Sequence, residues 1–160
     1  MSARTRKASG FTLVEILIVV VILGILAAIV IPQFTNASET AKAGNLTSQL
    51  QTIRSQLELA QIQHQGTYPD LVASSPAWTE MTTQTEQVSA YTAGNASGNE
   101  VGPYLQQAPT NPFENSASVA AAAAAGVGWV YNNANGSMKA CVSTAKQTAL
   151  ILSLTDVATY

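Results

Sequence analysis

Hydrophobic and polar positions divide this chain into a continuous apolar run, an amphipathic stretch and a polar second half. Residues 16–31 are apolar without interruption. As a helix, residues 11–34 would be about 36 Å long, and the hydrocarbon core of a bilayer is about 30 Å thick. We therefore predict that residues 11–34 form a helix that can span a membrane.

Helical periodicity continues after Asn45, but on one face only. Apolar residues there recur at spacings of four and three, which is typical of an amphipathic helix that packs on its own domain. They are Leu46, Leu50, Ile53, Leu57 and Ala60. Gly66 and Pro69 predict the end of this helix. We expect His64, close to that end, to be solvated or to interact with the helix dipole.

Two positions weaken the predicted helix within its apolar part. Pro32 cannot donate a hydrogen bond to the carbonyl of Ala28, so a kink or a loosened turn is expected there. Gly24 is a second weak point because glycine lowers helix propensity.

Short strands are predicted in the last third of the chain. Residues 128–131 and 137–142 are strand-like, and the segment between them ends in Asn135-Gly136, which predicts a β-hairpin. Residues 149–154 indicate a third strand. The alanine run at residues 120–125 favours a helix, but glycines follow it, so its state stays open. The polar residues 82–99 indicate a surface loop.

Composition excludes several classes of function. Charged residues make up 10% of the chain and the net charge is -2. This gives no basic surface for nucleic acid, which we do not expect as a partner. Titratable residues form no catalytic or metal-binding motif, and Glu114 is alone, so we predict no enzyme activity, metal or cofactor. The single Cys141 is expected to be a small buried hydrophobe, with a reactive or intermolecular thiol as the alternative.

The charges nearest the N-terminus indicate an orientation and raise a problem. Arg4, Arg6 and Lys7 precede the apolar run, which places the N-terminus in the cytoplasm. Glu15 lies at the start of the span, where an unpaired carboxylate is costly to bury. A cut between Gly10 and Phe11 would create an α-amine that could pair with it, within one chain or between neighbours. Alternatively, Glu15 lies at headgroup depth and interacts with the positive end of the helix.

The sequence GFTLVE at residues 10–15, followed by the apolar run to Pro32, resembles the N-terminal signature of type IV pilins and type II secretion pseudopilins. The resemblance implies an α+β, pilin-like fold. One long N-terminal helix, kinked near Pro32, would pack on a small C-terminal antiparallel sheet. It also implies a leader at residues 1–10, a transmembrane and filament-core segment at 11–34, and a globular domain at 35–160 that includes the second half of the helix.

The resemblance assigns a role to five residues. Gly10 would be the last leader residue recognised by a prepilin peptidase, and Phe11 the N-methylated first residue of the mature chain. Glu15 would pair with the N-terminal amine of an adjacent subunit during assembly. Gly24 and Pro32 match positions between which the helix is often melted in assembled filaments.

The implied function is that of a structural filament subunit, first held in lipid of the bacterial inner membrane and later part of a periplasmic or extracellular filament. Its partners would be other copies, the peptidase, an inner-membrane assembly platform and a motor ATPase. Residues 101–105 and 109–113 resemble a loop of major pseudopilins, although pilus and pseudopilus both stay open.

The alternative function is a membrane-anchored binding or adhesion module that does not polymerise. Three aromatic residues would then be surface anchors for a partner. We expect instead that Trp78, Tyr91 and Tyr104 complete a small core.

Overall fold

A computed structural model describes residues 10–73, 76–88, 90–91, 99–150 and 156–160 of the chain. The chain divides into two compact units after Glu39, and each is described separately. The elements in chain order are α1 (Leu13–Gln63), α2 (Thr79–Thr82), β1 (Thr85–Glu86), β2 (Glu100–Val101), β3 (Val119–Ala120), β4 (Trp129–Asn132), β5 (Ser137–Val142), α3 (Thr144–Leu150) and β6 (Val157–Thr159). One long N-terminal helix with small C-terminal sheets confirms the predicted α+β, pilin-like arrangement.

The second half of α1 contributes one face to the core of the larger unit. All five residues of the predicted apolar stripe are buried there: Leu46, Leu50, Ile53, Leu57 and Ala60. They pack with residues of the sheet, including Trp129, Tyr131 and Met138. Burial of a large aliphatic side chain contributes about 1.5 to 3 kcal/mol, so this stripe is the main source of stability for the second half of the helix.

α1 ends close to the predicted stop. The N–H of Gly66 donates to the carbonyl of Gln61 at 2.8 Å, and the N–H of Thr67 donates to that of His64 at 3.1 Å. Gln65 and Gly66 both have positive φ, at 55° and 91°. This is the geometry of a Schellman-type helix end, which satisfies carbonyls that the last turn would leave open.

The expectation that His64 is solvated is wrong. Its exposed fraction is 0%, and both ring nitrogens are hydrogen-bonded. Nδ1 lies 2.7 Å from the carbonyl oxygen of Val88, and Nε2 lies 3.0 Å from the hydroxyl of Thr85. The Tyr91 ring stacks on the imidazole with a centroid distance of 3.8 Å. His64 follows Ala60 by four residues, and its N–H donates to the Ala60 carbonyl at 2.9 Å, so it extends the buried stripe by one position.

The four-stranded sheet has the order β3-β4-β5-β6. Its central pair, β4 and β5, is the predicted antiparallel hairpin, with Trp129 opposite Ala140 and Asn132 opposite Ser137. The sheet differs from the prediction in being mixed, because β3 is parallel to β4 and β6 is parallel to β5. Each outer strand is joined to its neighbour by a segment that returns to the same end of the sheet, which makes the pair parallel. β1 and β2 form a separate antiparallel pair.

Two uncertain segments of the C-terminal third are now placed. The prediction of a third strand is wrong at its first two residues, because residues 149–150 are the end of helix α3. The Thr, Ala, Lys and Gln residues of α3 are compatible with a helix. Residues 151–154 of that prediction lie outside the described residues, and the last strand is β6 instead. In the alanine run, Ala120 ends β3, and residues 121–126 contain a bend and a turn rather than a helix.

A polar contact connects the second half of α1 to β5 and to Asp156, the residue that precedes β6. The guanidinium of Arg54 lies 2.8 Å from the carboxylate of Asp156. Two further nitrogens of the same guanidinium donate to the carbonyl of Met138, at 3.1 and 2.8 Å. This planar, three-point contact suits an arginine and explains why a charge lies beside the buried stripe.

Candidate functional site

The N-terminus of α1 is capped by reciprocal hydrogen bonds between Thr12 and Glu15. The N–H of Thr12 donates to Oε2 of Glu15 at 2.8 Å, and the hydroxyl of Thr12 donates to the same oxygen at 2.9 Å. In the opposite direction, the N–H of Glu15 approaches the Thr12 hydroxyl oxygen at 3.3 Å. This is a capping box, which satisfies backbone N–H groups that the first helical turn leaves unpaired.

The capping box gives Glu15 a partner that the sequence interpretation overlooked. A Thr followed three residues later by Glu, directly before an apolar run, is a recognised signature of a helix start, and Thr12 could have been identified from it. Both bonds from Thr12 reach Oε2. Within the described part of the chain, Oε1 accepts no hydrogen bond, so the carboxylate keeps lone pairs for a second partner.

The other two residues at this junction are open to solvent. Gly10 and Phe11 precede the helix, and 84% of Phe11 is exposed. Neither residue contacts Glu15 through a hydrogen bond in the described structure. The structure therefore brings together Thr12 and Glu15, and it leaves the predicted cleavage point accessible.

The first half of α1 exposes an unbroken apolar surface. Every residue from 11 to 34 is exposed, and even Val30 retains 41% of its accessible surface. Such a surface greatly exceeds the apolar patches of a soluble monomer and marks contact with a membrane or with other proteins. α1 is also the one helix, within the described residues, that is long and apolar enough to cross a bilayer, on length and composition alone.

Gly24 and Pro32 both lie inside α1, which continues past them to Gln63. A Cβ atom built on Gly24 would meet nothing within 4 Å, so this position has open space around it. Close to Pro32, the Thr35 hydroxyl donates to the carbonyl of Ile31 at 3.2 Å. The loosening of the helix between the two residues concerns assembled filaments and stays a prediction.

Comparison with known proteins identifies this junction. The family described as "Prokaryotic N-terminal methylation motif" matches residues 5–31, a range that contains Gly10, Phe11 and Glu15. Type II secretion system core protein G of Pseudomonas aeruginosa is 34% identical over 110 residues, covering 69% of this chain and 71% of that protein. The chain belongs to the family of type IV pilins and type II secretion pseudopilins.

Other members of the pilin and pseudopilin family match a shorter part of the chain. Type IV narrow pilus major component PilA5 of Thermus thermophilus is 40% identical over 60 residues, or 38% of this chain and 52% of that protein, so the chain spans about half its length. Type IV major fimbrial protein FimA of Dichelobacter nodosus is 45% identical over 49 residues, or 31% of each chain. No solved structure gives a significant match.

Pilins and pseudopilins are structural filament subunits, and both halves of α1 suit that function. The apolar half suits anchoring in the inner membrane and then packing in a filament, while the second half carries the globular unit. Residues 1–9 of the predicted leader lie outside the described residues. The cleavage and methylation roles of Gly10 and Phe11, and the pairing of Glu15, stay predictions.

The aromatic residues that a binding module would expose are core residues of this pilin-like fold. Trp78 and Tyr104 are buried, and Tyr91 is half-buried against His64. The indole N–H of Trp78 donates to the carbonyl of Ala117 at 2.6 Å, and the Tyr104 hydroxyl donates to a side-chain oxygen of Gln63 at 2.9 Å. These contacts confirm the core interpretation and leave the three rings unsuitable as surface anchors.

The remaining candidate residues have structural contacts. Cys141 is buried, and burial raises the pKa of its thiol, so the reactive-thiol alternative has no support. The Glu114 carboxylate accepts hydrogen bonds from the Tyr160 hydroxyl at 2.9 Å and from the N–H of Gly126 at 3.3 Å. Within the described residues, no three His, Cys, Asp or Glu side chains are grouped to hold a metal ion.

Proposed function

We propose that this chain is the repeating structural subunit of a pseudopilus-type filament of the type II secretion class. The observation that carries the proposal is the junction at residues 10–15, where an accessible Gly10-Phe11 bond precedes a capped Glu15 and a fully exposed apolar helix. Similarity to core protein G extends over 110 residues, against 60 and 49 for the two pilins, which favours the pseudopilus branch.

Before assembly, the apolar half of α1 spans the inner membrane with the basic N-terminus in the cytoplasm. A prepilin peptidase cuts between Gly10 and Phe11, and the new N-terminus at Phe11 is methylated. An inner-membrane assembly platform and a motor ATPase then move the subunit into the filament. The chain itself is a substrate of these steps, and we assign it no catalytic role.

In the proposed assembly step, Glu15 pairs with the α-amine of Phe11 in a neighbouring copy. The two bonds from Thr12 use Oε2 and leave Oε1 for the amine. Because the site is surrounded by apolar side chains, the amine offsets a carboxylate charge that would otherwise be costly to bury. The partially melted segment between Gly24 and Pro32 would form at the same stage.

The first test is the N-terminal mass of the protein recovered from membranes of its host. A mature chain beginning at methylated Phe11 is expected. A chain that retains its leader, in cells with an active prepilin peptidase, would contradict the proposal and favour the anchored module. Replacement of Gly10 by leucine should block the cut, and normal processing of that variant would remove Gly10 as the recognition point.

Two variants of Glu15 separate its capping role from its charge. Glu15→Ala removes both, whereas Glu15→Gln retains an oxygen that can accept from Thr12. We expect both variants to be cut and inserted in the membrane, and both to yield far less filament in electron micrographs of sheared fractions. Wild-type filament from Glu15→Gln would show that the capping bond suffices and that no amine pairing is needed.

A further inference from the structure

The loop of the β4–β5 hairpin is bordered by three cavities of the larger unit. This hairpin loop, residues 132–136, has the sequence Asn-Asn-Ala-Asn-Gly. Residues 132–133 line the first cavity, of about 340 Å³, and residues 133–134 line the second, of about 440 Å³. Residues 135–136 line the third, of about 310 Å³. Each cavity therefore has the size of a small-ligand site, for which about 300 to 1,000 Å³ is usual.

The asparagine side chains of the hairpin loop offer hydrogen-bond donors at these cavities. The amide oxygens of Asn132 and Asn135 accept from the backbone N–H groups of Ala134 and Ser137, both at 3.0 Å. These bonds fix the orientation of each amide and leave its NH2 group for another acceptor. The side chain of Asn133 makes no hydrogen bond within the described part of the chain. All three asparagines are exposed, so their donors are accessible to a ligand.

An aromatic ring lies between the second and the third cavity. Tyr68 lines both of them, and its side chain is only partly buried. The ring packs on Gly136, where φ is +69° and where a Cβ atom would overlap with the ring. Glycine at this position thus permits the close approach that holds the ring against the hairpin loop. A ring held on one side and partly open on the other offers an apolar surface with a polar hydroxyl at its tip.

The charges around the hairpin loop disfavour an ionic ligand. The charged residues that line the three cavities are Arg54, Glu58 and Asp70, so two carboxylates face one cation. The guanidinium of Arg54 is already engaged by Asp156 and by the carbonyl of Met138. An anionic ligand would therefore meet net repulsion. A metal cation would meet amide N–H donors where it needs further oxygen ligands.

The hairpin is also a poor site for an extended peptide. A peptide commonly binds by adding a strand to an unpaired sheet edge. β4 and β5 are the two inner strands of their sheet, with β3 on one side and β6 on the other. The hairpin loop therefore joins two strands that offer no free edge.

We propose that the hairpin loop and Tyr68 form a binding site for a neutral oligosaccharide. Sugar hydroxyls both donate and accept hydrogen bonds, so they fit the asparagine NH2 groups and the carboxylates of Glu58 and Asp70 together. The apolar C–H face of a sugar ring fits the open part of the Tyr68 ring. Successive sugar units of one chain would occupy neighbouring cavities around the loop. The site lies within the larger unit and does not depend on the proposed filament function.

The first experiment titrates the full chain with defined oligosaccharides, in micelles of a detergent that has no sugar headgroup. Maltohexaose, cellohexaose and chitohexaose are the neutral probes, and a galacturonic acid hexamer is the charged control. Saturation-transfer NMR and calorimetric titration should show binding of at least one neutral probe and none of the charged hexamer. Three outcomes would overturn the proposal: failure of all three neutral probes, equal binding of the charged hexamer, or equal binding of a neutral serine-alanine hexapeptide.

A variant of the hairpin loop tests the donors without changing the fold. Asn133→Ala truncates an exposed side chain, so urea unfolding should match that of the wild type. The Kd for the bound sugar should rise about threefold to tenfold, as expected when one or two hydrogen bonds are lost. The matched control is Gln106→Ala, an exposed amide that lines none of the three cavities, and it should leave the Kd unchanged. An unchanged Kd for Asn133→Ala would remove the hairpin loop from the site.

Two variants of Tyr68 test the aromatic contact. Tyr68→Phe keeps the ring and should retain the wild-type Kd within about threefold, whereas Tyr68→Ala should raise it about tenfold or more. Wild-type affinity in a folded Tyr68→Ala variant would show that no sugar ring contacts Tyr68 and would overturn the proposed site. If Tyr68→Ala does not fold, an equal, tenfold loss of affinity in the folded Tyr68→Phe variant would overturn the ring contact instead.

Discussion

The two halves of α1 form one helix but differ in where their apolar residues lie and in whether the chain buries them. Residues 13–34 are apolar on every side and exposed throughout, whereas residues 46–64 are apolar on one stripe that the larger unit buries. The pattern around the helix therefore tells which partner covers it. An all-round apolar helix needs lipid or other helices, and a single stripe needs its own domain.

The largest effect is expected from a matched pair of substitutions, one in each half. Ile53→Ala removes a buried side chain and leaves a cavity, so the free energy of unfolding should fall by about 2 to 5 kcal/mol. Ile25→Ala removes the same atoms from an exposed position and should change it by less than about 0.5 kcal/mol. Urea unfolding of the full chain in detergent micelles, followed by tryptophan fluorescence, measures both.

Both tryptophans, Trp78 and Trp129, are buried in the larger unit, so the signal reports on that unit. A comparable loss of stability in the two variants would break the comparison between the halves. It would mean that the apolar half also supports the folded domain.

A smaller effect is expected at the end of the buried stripe. His64→Leu keeps an apolar residue there but leaves the Val88 carbonyl and the Thr85 hydroxyl without their partner. Loss of partners for buried polar groups should cost about 1 to 3 kcal/mol in the same unfolding assay. A stabilised His64→Leu variant would show that the stripe ends at Ala60 and that the imidazole is merely tolerated.

The sequence predicted five residues of the buried stripe but missed the sixth, His64. Leu46 to Ala60 were identifiable because helical periodicity and apolar character coincide. His64 has the right spacing, yet a titratable side chain beside a helix end usually faces water, and its partners lie more than 20 residues away in the chain. Long-range contacts of this type leave no local sequence signal.

In the sheet and at the start of α1, too, local features were predictable from the sequence and long-range contacts were not. The β4–β5 hairpin was predictable from Asn135-Gly136 because a tight turn is local chemistry. The parallel outer strands were not, since their pairing depends on connections of 8 and 14 residues whose path the sequence does not indicate. At the helix start, Thr12 was predictable from its spacing to Glu15, while the second partner that we propose for Glu15 belongs to another molecule.

Polar contacts of the second half should have weaker effects than its apolar stripe. Arg54→Met keeps the aliphatic stem but removes the donors to the Met138 carbonyl, and we expect a loss of about 1 to 2 kcal/mol. Asp156→Asn removes only the ion pair, whose side chains are about one-third exposed, and should cost about 0 to 1 kcal/mol. An equal loss in the two variants would place the stabilisation in the ion pair instead.

The smallest effect is a pH dependence of stability that arises within the larger unit. Burial raises the pKa of the Glu80 carboxyl above its ordinary value, and the nearby Asp70 charge adds to the shift, although the N–H of Asp70, at 2.8 Å, partly counteracts it. A carboxyl with a raised pKa binds its proton more tightly in the folded chain. Its contribution to stability is therefore complete at acid pH and is lost as the pH rises through that folded-state pKa.

Glu80→Gln removes this titration and keeps a side-chain oxygen for the N–H of Asp70. The variant should be more stable than the wild type at pH 7, and the gain should vanish at a pH below the ordinary glutamate pKa of about 4.3. The control is Glu58→Gln, the same substitution at an exposed residue of α1, where a surface change should shift the unfolding midpoint little. An unchanged midpoint for Glu80→Gln at neutral pH would mean that the Asp70 hydrogen bond fully offsets the cost of burying the Glu80 charge.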